Sequence, residues 1–111
     1  MNDRIPRGKM SRRERDCRGK LAQLLHDCGF IRGSLTVRER TCGKPNCRCA
    51  RGEKHVSLYL VVCEAGKYRQ VFIPKPLEQA VRLWVENHQK AKDLFEEISR
   101  IHHERVRNRE I

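Results

Sequence analysis

From Leu77 onward one face of the chain repeats at Leu77, Val81, Trp84, His88, Ala91, Phe95 and Ile98, in steps of 4, 3, 4, 3, 4 and 3. A heptad-like seam of this length marks a single helix from about Leu77 to beyond His102. Ala80, Val85, Leu94 and Ile101 widen the seam into a broad apolar face, so the helix need not be a strict coiled coil. A chain of 111 residues supports one modest core and not two independent ones. So long an apolar helix must therefore pack on another element of its own chain or pair with a second chain.

The segments before it supply the other elements. Ser11 with Glu14 three residues later reads as a capping box. Behind it Cys17, Leu21, Leu24, Leu25 and Cys28 form a helical stripe, and Gly29 is the expected stop. From Gly33 the period changes to two: Leu35, Val37 and Glu39 alternate with Ser34, Thr36, Arg38 and Arg40, as in a half-buried strand with one arginine-bearing face. Two further strands, 56–62 and 68–73, flank a turn at Glu64-Ala65-Gly66-Lys67 and read as an antiparallel hairpin. Pro74 and Pro76 end the sheet and open the long helix. The expected fold is α+β: an N-terminal helix, a small antiparallel sheet with a zinc-knuckle-like loop inserted, and a long C-terminal helix. Residues 1–10 are expected to be a flexible basic lead-in, 11–104 a single domain with the Cys-rich loop at 42–55, and 105–111 a frayed tail.

Charge narrows the class of partner. The net charge is +11, and residues 1–55 hold 15 Lys and Arg against 6 Asp and Glu, while residues 56–111 hold 10 against 8. An excess concentrated in one half is the electrostatic footprint of a polyanion partner, nucleic acid first and an anionic membrane surface second. The first twenty residues are charged throughout and lack the apolar core of a secretory signal, and no run reaches the roughly 18 apolar residues of a membrane span. A cytoplasmic location with reduced thiols is expected, and no membrane partner.

The stretch RTCGKPNCRCARGEKH, residues 40–55, gathers three of the six cysteines. Cys42, Cys47, Cys49 and His55 form a set of four sulfur and nitrogen ligands, which is what a tetrahedral Zn²⁺ site needs. The turn-forming GKPN between the first two, and Gly52 later, would let the chain reverse onto itself. Lys44, Arg48 and Arg51 would offset thiolate charge. The spacing is not the paired Cys-x2-Cys of common zinc ribbons. Reduced thiols without metal and redox or iron–sulfur chemistry therefore stay open beside structural zinc. A Cys47–Cys49 disulfide would close a very small strained ring and is not expected. Cys17, Cys28 and Cys63 read as small hydrophobes, with Cys63 a substitute ligand only if the hairpin folds over the loop.

The stretch GSLTVRERTCGKPNCRCARGEKH, followed by a hairpin and VRLWVENHQKAKDLFEEIS, resembles a poorly characterised bacterial family of small proteins. In that family Cys-Gly-Lys-Pro-Asn-Cys-Arg-Cys-Ala-Arg-Gly precedes a His and then Gly-Pro-Tyr. The resemblance covers about residues 33–101 and departs after His55, where this chain has Val56-Ser57-Leu58-Tyr59. It implies that Cys42, Cys47, Cys49 and His55 act as one unit, and a loose association with mobile genetic elements. It implies no activity.

The residues then point to a small nucleic-acid-binding protein with structural zinc, an accessory or regulatory factor, with DNA preferred over RNA. Its phosphate contacts are expected from Arg12, Arg13, Arg15, Arg18, Lys20, Arg38, Arg40, Lys44, Arg48 and Arg51. With Tyr59 and Tyr68 the only obvious stacking platforms, duplex backbone contact is expected over single-strand recognition. The alternative is an assembly subunit that pairs through residues 77–101, with itself as a homodimer or with a larger protein. Enzymatic activity is not expected: no Ser-His-Asp arrangement or phosphate-cradling glycine loop stands out. Glu39 or Glu53 could serve a metal-bound water only at a site with an open position, which four protein ligands do not leave.

Overall fold

The computed structural model describes residues 3–40, 45–46, 52 and 55–110. Its elements are α1 (Arg12–Asp27), β1 (Ser34–Arg40), β2 (His55–Glu64), β3 (Lys67–Ile73) and α2 (Glu78–Arg107), with single 3-10 turns at Arg7–Lys9 and Lys75–Leu77. The fold is α+β, as the periodicities predict: a helix, a three-stranded antiparallel sheet in the order β1-β2-β3, and a long helix. The chain forms two compact units, residues 1–29 with 86–111, and residues 30–85.

The unit of residues 30–85 is built on the sheet. Leu58 faces Val37 and Ile73 across the ladders, and Leu60 faces Leu35 and Val71. Leu58, Leu60, Ile73 and Val81 are buried together, with Ile31, Leu35, Val62 and Val85 packed against them. One sheet face is thus covered by the start of α2 and the segment before β1. A backbone bond from Ile31 N–H to the Trp84 carbonyl (3.1 Å) pins that segment. Gly33, at φ +147°, passes so close to the sheet that a Cβ would lie 2.8 Å from Leu60 Cδ1 and 3.0 Å from the Val61 carbonyl oxygen. The hairpin turn is tight: Glu64 pairs with Lys67, and Ala65 and Gly66 both have positive φ, 51° and 78°. Two successive residues with φ above zero are the mark of a type I′ turn, whose twist matches the strands.

The other unit pairs α1 with the later turns of α2. Ser11 caps α1, its Oγ accepting from Glu14 N–H at 3.1 Å. Only this half of the expected capping box forms. The Glu14 carboxylate is fully buried and turns instead to Arg18 and His102. The helix ends at Cys28 in extended conformation, so the stop does not use a left-handed Gly29; the Gly29 carbonyl accepts from Asn87 Nδ2 at 3.1 Å. The long helix continues to Arg107, past the boundary at residue 105 expected from sequence. It closes with Arg109 at φ 56°, Arg109 N–H bonding to the Val106 carbonyl and Glu110 N–H to the Arg105 carbonyl. These two bonds form a Schellman motif, which satisfies the last carbonyls of the helix.

The buried stripe of α2 differs from the expected seam. Val81 and Ile101 are buried, and Val85, His88, Ala91, Leu94 and Ile98 are half-buried. Leu77, Trp84 and Phe95 of the expected seam are exposed, Phe95 by 65%. A seven-residue repeat drifts by about 20° per heptad on a straight helix of 3.6 residues per turn, so the stripe walks away from a strict seam.

Candidate nucleic-acid interface

The ten cations expected to meet phosphate occupy different environments. On α1, Arg13 is committed to carboxylates of α2: its Nε lies 2.6 Å from Glu97 and its Nη1 3.3 Å from Glu104. Hydrogen bonds from Arg100 and from Arg13 hold the Glu97 carboxyl below the usual carboxylate range, and those to Glu97 and Glu104 hold the Arg13 guanidinium more firmly protonated. Arg18 Nε donates to Glu14 at 2.8 Å. Arg12, Arg15 and Lys20 are exposed and form no ion pair among the described residues. Asp16 and Asp27 lie on the same helix and offset two of these three charges at long range. Much of the basic character that α1 shows as a sequence is therefore neutralised within its own unit.

The balance shifts toward the sheet. Residues 30–85 hold 11 Lys and Arg against 4 Asp and Glu, whereas residues 1–29 with 86–111 hold 14 against 10. Lys44, Arg48 and Arg51, with Cys42, Cys47 and Cys49, lie outside the described residues. Pro45 and Asn46 lie in a turn, and Gly52 takes φ +100°. His55 is exposed at the first position of β2, where it pairs with Arg40, the last residue of β1. Opposite residues of an antiparallel pair have Cα atoms about 4.5–5.5 Å apart. The backbone at Arg40, two residues before Cys42, is thus adjacent to that of His55. Among the described residues no group of three or more His, Cys, Asp or Glu is placed to hold a metal.

The sheet has a second face, opposite the core. Register places on it Ser34, Thr36 and Arg38 of β1, the odd-numbered residues His55 to Cys63 of β2, and Tyr68, Gln70 and Phe72 of β3. Tyr59 and Phe72, directly opposite each other, meet edge to face with ring centroids 5.7 Å apart. The Arg38 guanidinium lies over the Tyr59 ring at 5.2 Å. Phe72 is 54% exposed and Tyr68 77%. Both carboxylates of the strands, Glu39 and Glu64, fall in the alternate register on the core side.

Sequence reasoning found Arg38, Tyr59 and Tyr68 but not Phe72 or Gln70. The available signal was alternation in YRQVFI, which puts Tyr68, Gln70 and Phe72 on one face and Arg69, Val71 and Ile73 on the other. Both sets contain apolar residues, so alternation alone does not say which faces solvent. Cys63, expected to act as a small hydrophobe, is instead exposed, because its register puts it opposite Tyr68 on the face away from the core. Cys17 and Cys28 are half-buried.

A family model described as a domain of unknown function (DUF6788) matches residues 7–82, from the first 3-10 turn through the opening turn of α2. No curated protein and no solved structure matches the chain. Among the described residues no helix is long and apolar enough to cross a membrane.

Proposed function

Because this chain belongs to the DUF6788 family, whose function is unknown, we propose a role from its own residues: a small nucleic-acid-binding protein, with DNA preferred over RNA. The observation that carries this reading is the cation excess of residues 30–85, 11 against 4 carboxylates, in a unit whose exposed sheet face carries Arg38. Arg38 and Arg40, with Lys44, Arg48 and Arg51 of the adjoining loop, are the principal phosphate contacts. Arg12, Arg15 and Lys20 are auxiliary ones. Arg13 and Arg18 would have to leave carboxylate partners to take part, so they contribute less than the sequence suggests.

Within the same reading Cys42, Cys47, Cys49 and His55 hold a structural Zn²⁺. Three thiolates and one imidazole fit its preference for sulfur and nitrogen donors, and a filled set leaves no position for catalysis. The ion would supply a covalent-like clasp between the end of β1 and the start of β2. The resemblance to a family loosely associated with mobile genetic elements suits an accessory factor acting on such DNA.

A salt titration of DNA binding tests the proposal. Phosphate contacts release counterions, so affinity should fall steeply and log-linearly with salt. Absence of measurable affinity at low salt would overturn it. A second reading is favoured by one observation: Leu25 and Phe95, 60% and 65% exposed, border an open groove lined also by Leu21 and Ile98. On that reading the helices are an assembly surface, and sedimentation would show self-association that Phe95→Glu abolishes.

A further inference from the structure

The core-opposed sheet face is built for more than phosphate contact. We propose that it is a stacking platform for single-stranded DNA, an inference that rests on the nucleic-acid reading above and specifies its substrate. Bases stack on exposed aromatic rings with little regard to sequence, while neighbouring cations follow the backbone. This face presents three rings, two of them largely exposed and both on β3. Tyr68 and Phe72 are four residues apart on one strand, about 14 Å at the usual rise, with Gln70 between them. That separation leaves room for splayed bases on two platforms and places an amide donor and acceptor at the base edges between them.

Charge decides what such a face can take. An apolar peptide or a second sheet would be an equal candidate for a face of aromatic residues alone. Here the strands contribute Arg38 to this face and no carboxylate, since Glu39 and Glu64 occupy the other register. Arg38 sits over Tyr59 and is exposed to solvent, so a phosphate could approach it. A polyanion that also carries flat apolar rings satisfies both features at once, and single-stranded nucleic acid is that polymer. A duplex keeps its bases stacked inward and would leave Tyr68 and Phe72 without partners. The preference for DNA over RNA is carried from the reading above, and the oligouridylate arm of the test separates the two by the 2′-hydroxyl.

The test uses the full chain, an oligothymidylate of about 12 nucleotides, the matching duplex with oligoadenylate and the matching oligouridylate, each followed by fluorescence anisotropy. The expected order is single-stranded DNA tightest. Phe72→Leu and Tyr68→Ala should each weaken single-strand binding by about 5- to 150-fold, the range for loss of one stacked base. Binding to the duplex should stay within about twofold. Arg38→Ala should reduce the single-strand salt slope by about 0.7. Tyr68 is so exposed that its truncation leaves the core untouched, so its result stands even if Phe72→Leu destabilises the sheet. Unchanged single-strand binding in Tyr68→Ala and in folded Phe72→Leu would overturn the platform while leaving nucleic-acid binding standing. Tighter binding to the duplex or to the RNA would overturn the assigned substrate. No binding to any of the three at low salt would remove the underlying reading as well.

Discussion

Glu14 shows how one residue can look like a capping element in sequence and become something else in the fold. It occupies the third position of α1, where its N–H meets Ser11, yet its carboxylate is fully buried between Arg18 and His102 of α2. Burial alone would push its pKa up; the hydrogen bonds from Arg18 and then His102 outweigh it and hold the carboxyl below its usual 4.5. A carboxylate with a lowered folded-state pKa stabilises the fold above the unfolded-state pKa, and that contribution is lost as pH falls through the folded value. Urea unfolding should therefore show a loss of stability on going from neutral pH to below 4.5, a loss that Glu14→Gln shrinks. At neutral pH, Glu14→Ala should cost roughly 1.5–3 kcal/mol, the worth of hydrogen bonds to a charged group. Oε1 has no hydrogen-bond partner among the described residues, so the burial is only partly compensated. Gly33 is the other decisive position. Its positive φ and its contact with Leu60 and Val61 exclude a Cβ, and Gly33→Ala should destabilise the sheet unit by roughly 1–3 kcal/mol in the same assay. Both glycine and carboxylate were visible in the sequence, but their demands were not: each depends on what a distant segment brings within 3–4 Å.

The elements themselves were largely legible. The cap at Ser11, the antiparallel hairpin and the long helix follow from turn chemistry and period, which are local properties. The hairpin turn carries a local conflict, since Ala65 adopts φ 51° where a side chain other than Asn or Asp is disfavoured. Ala65→Asn should raise stability by roughly 0.5–1 kcal/mol, read as a higher melting temperature with unchanged circular dichroism. The faces of the elements were less legible. In α2 Trp84 and Phe95 match the heptad, yet they are exposed while Leu94 and Ile101 turn inward. In β3 the aromatic set and the aliphatic set compete for the core, and Ile73 wins because Leu58 lies opposite it. The side left exposed then keeps the rings, which is why the candidate site lies where it does.

For the molecule as a whole, the net charge of +11 is a poor guide until its distribution is known. The sequence divides the charge between its halves; the structure divides it between a unit with internal ion pairs and a sheet unit with few carboxylates. Under the proposed function, chelation should loosen the loop that joins β1 to β2. Purified protein should contain about one zinc per chain, and Cys42→Ser or Cys47→Ser should lose it, as elemental analysis would record. Metal-free wild-type protein with an unchanged melting curve in chelator would count against the site. By itself the sequence determined the order and type of the elements, because period and turn residues are written along the chain. Only the tertiary structure decided which side of the sheet is open and which arginines are already paired. Those outcomes depend on meetings such as Arg13 with Glu97 and Glu14 with His102, 84 and 88 positions apart. Neither partner's neighbourhood in sequence signals the other, and burial and charge pairing arise only when the chain brings them together.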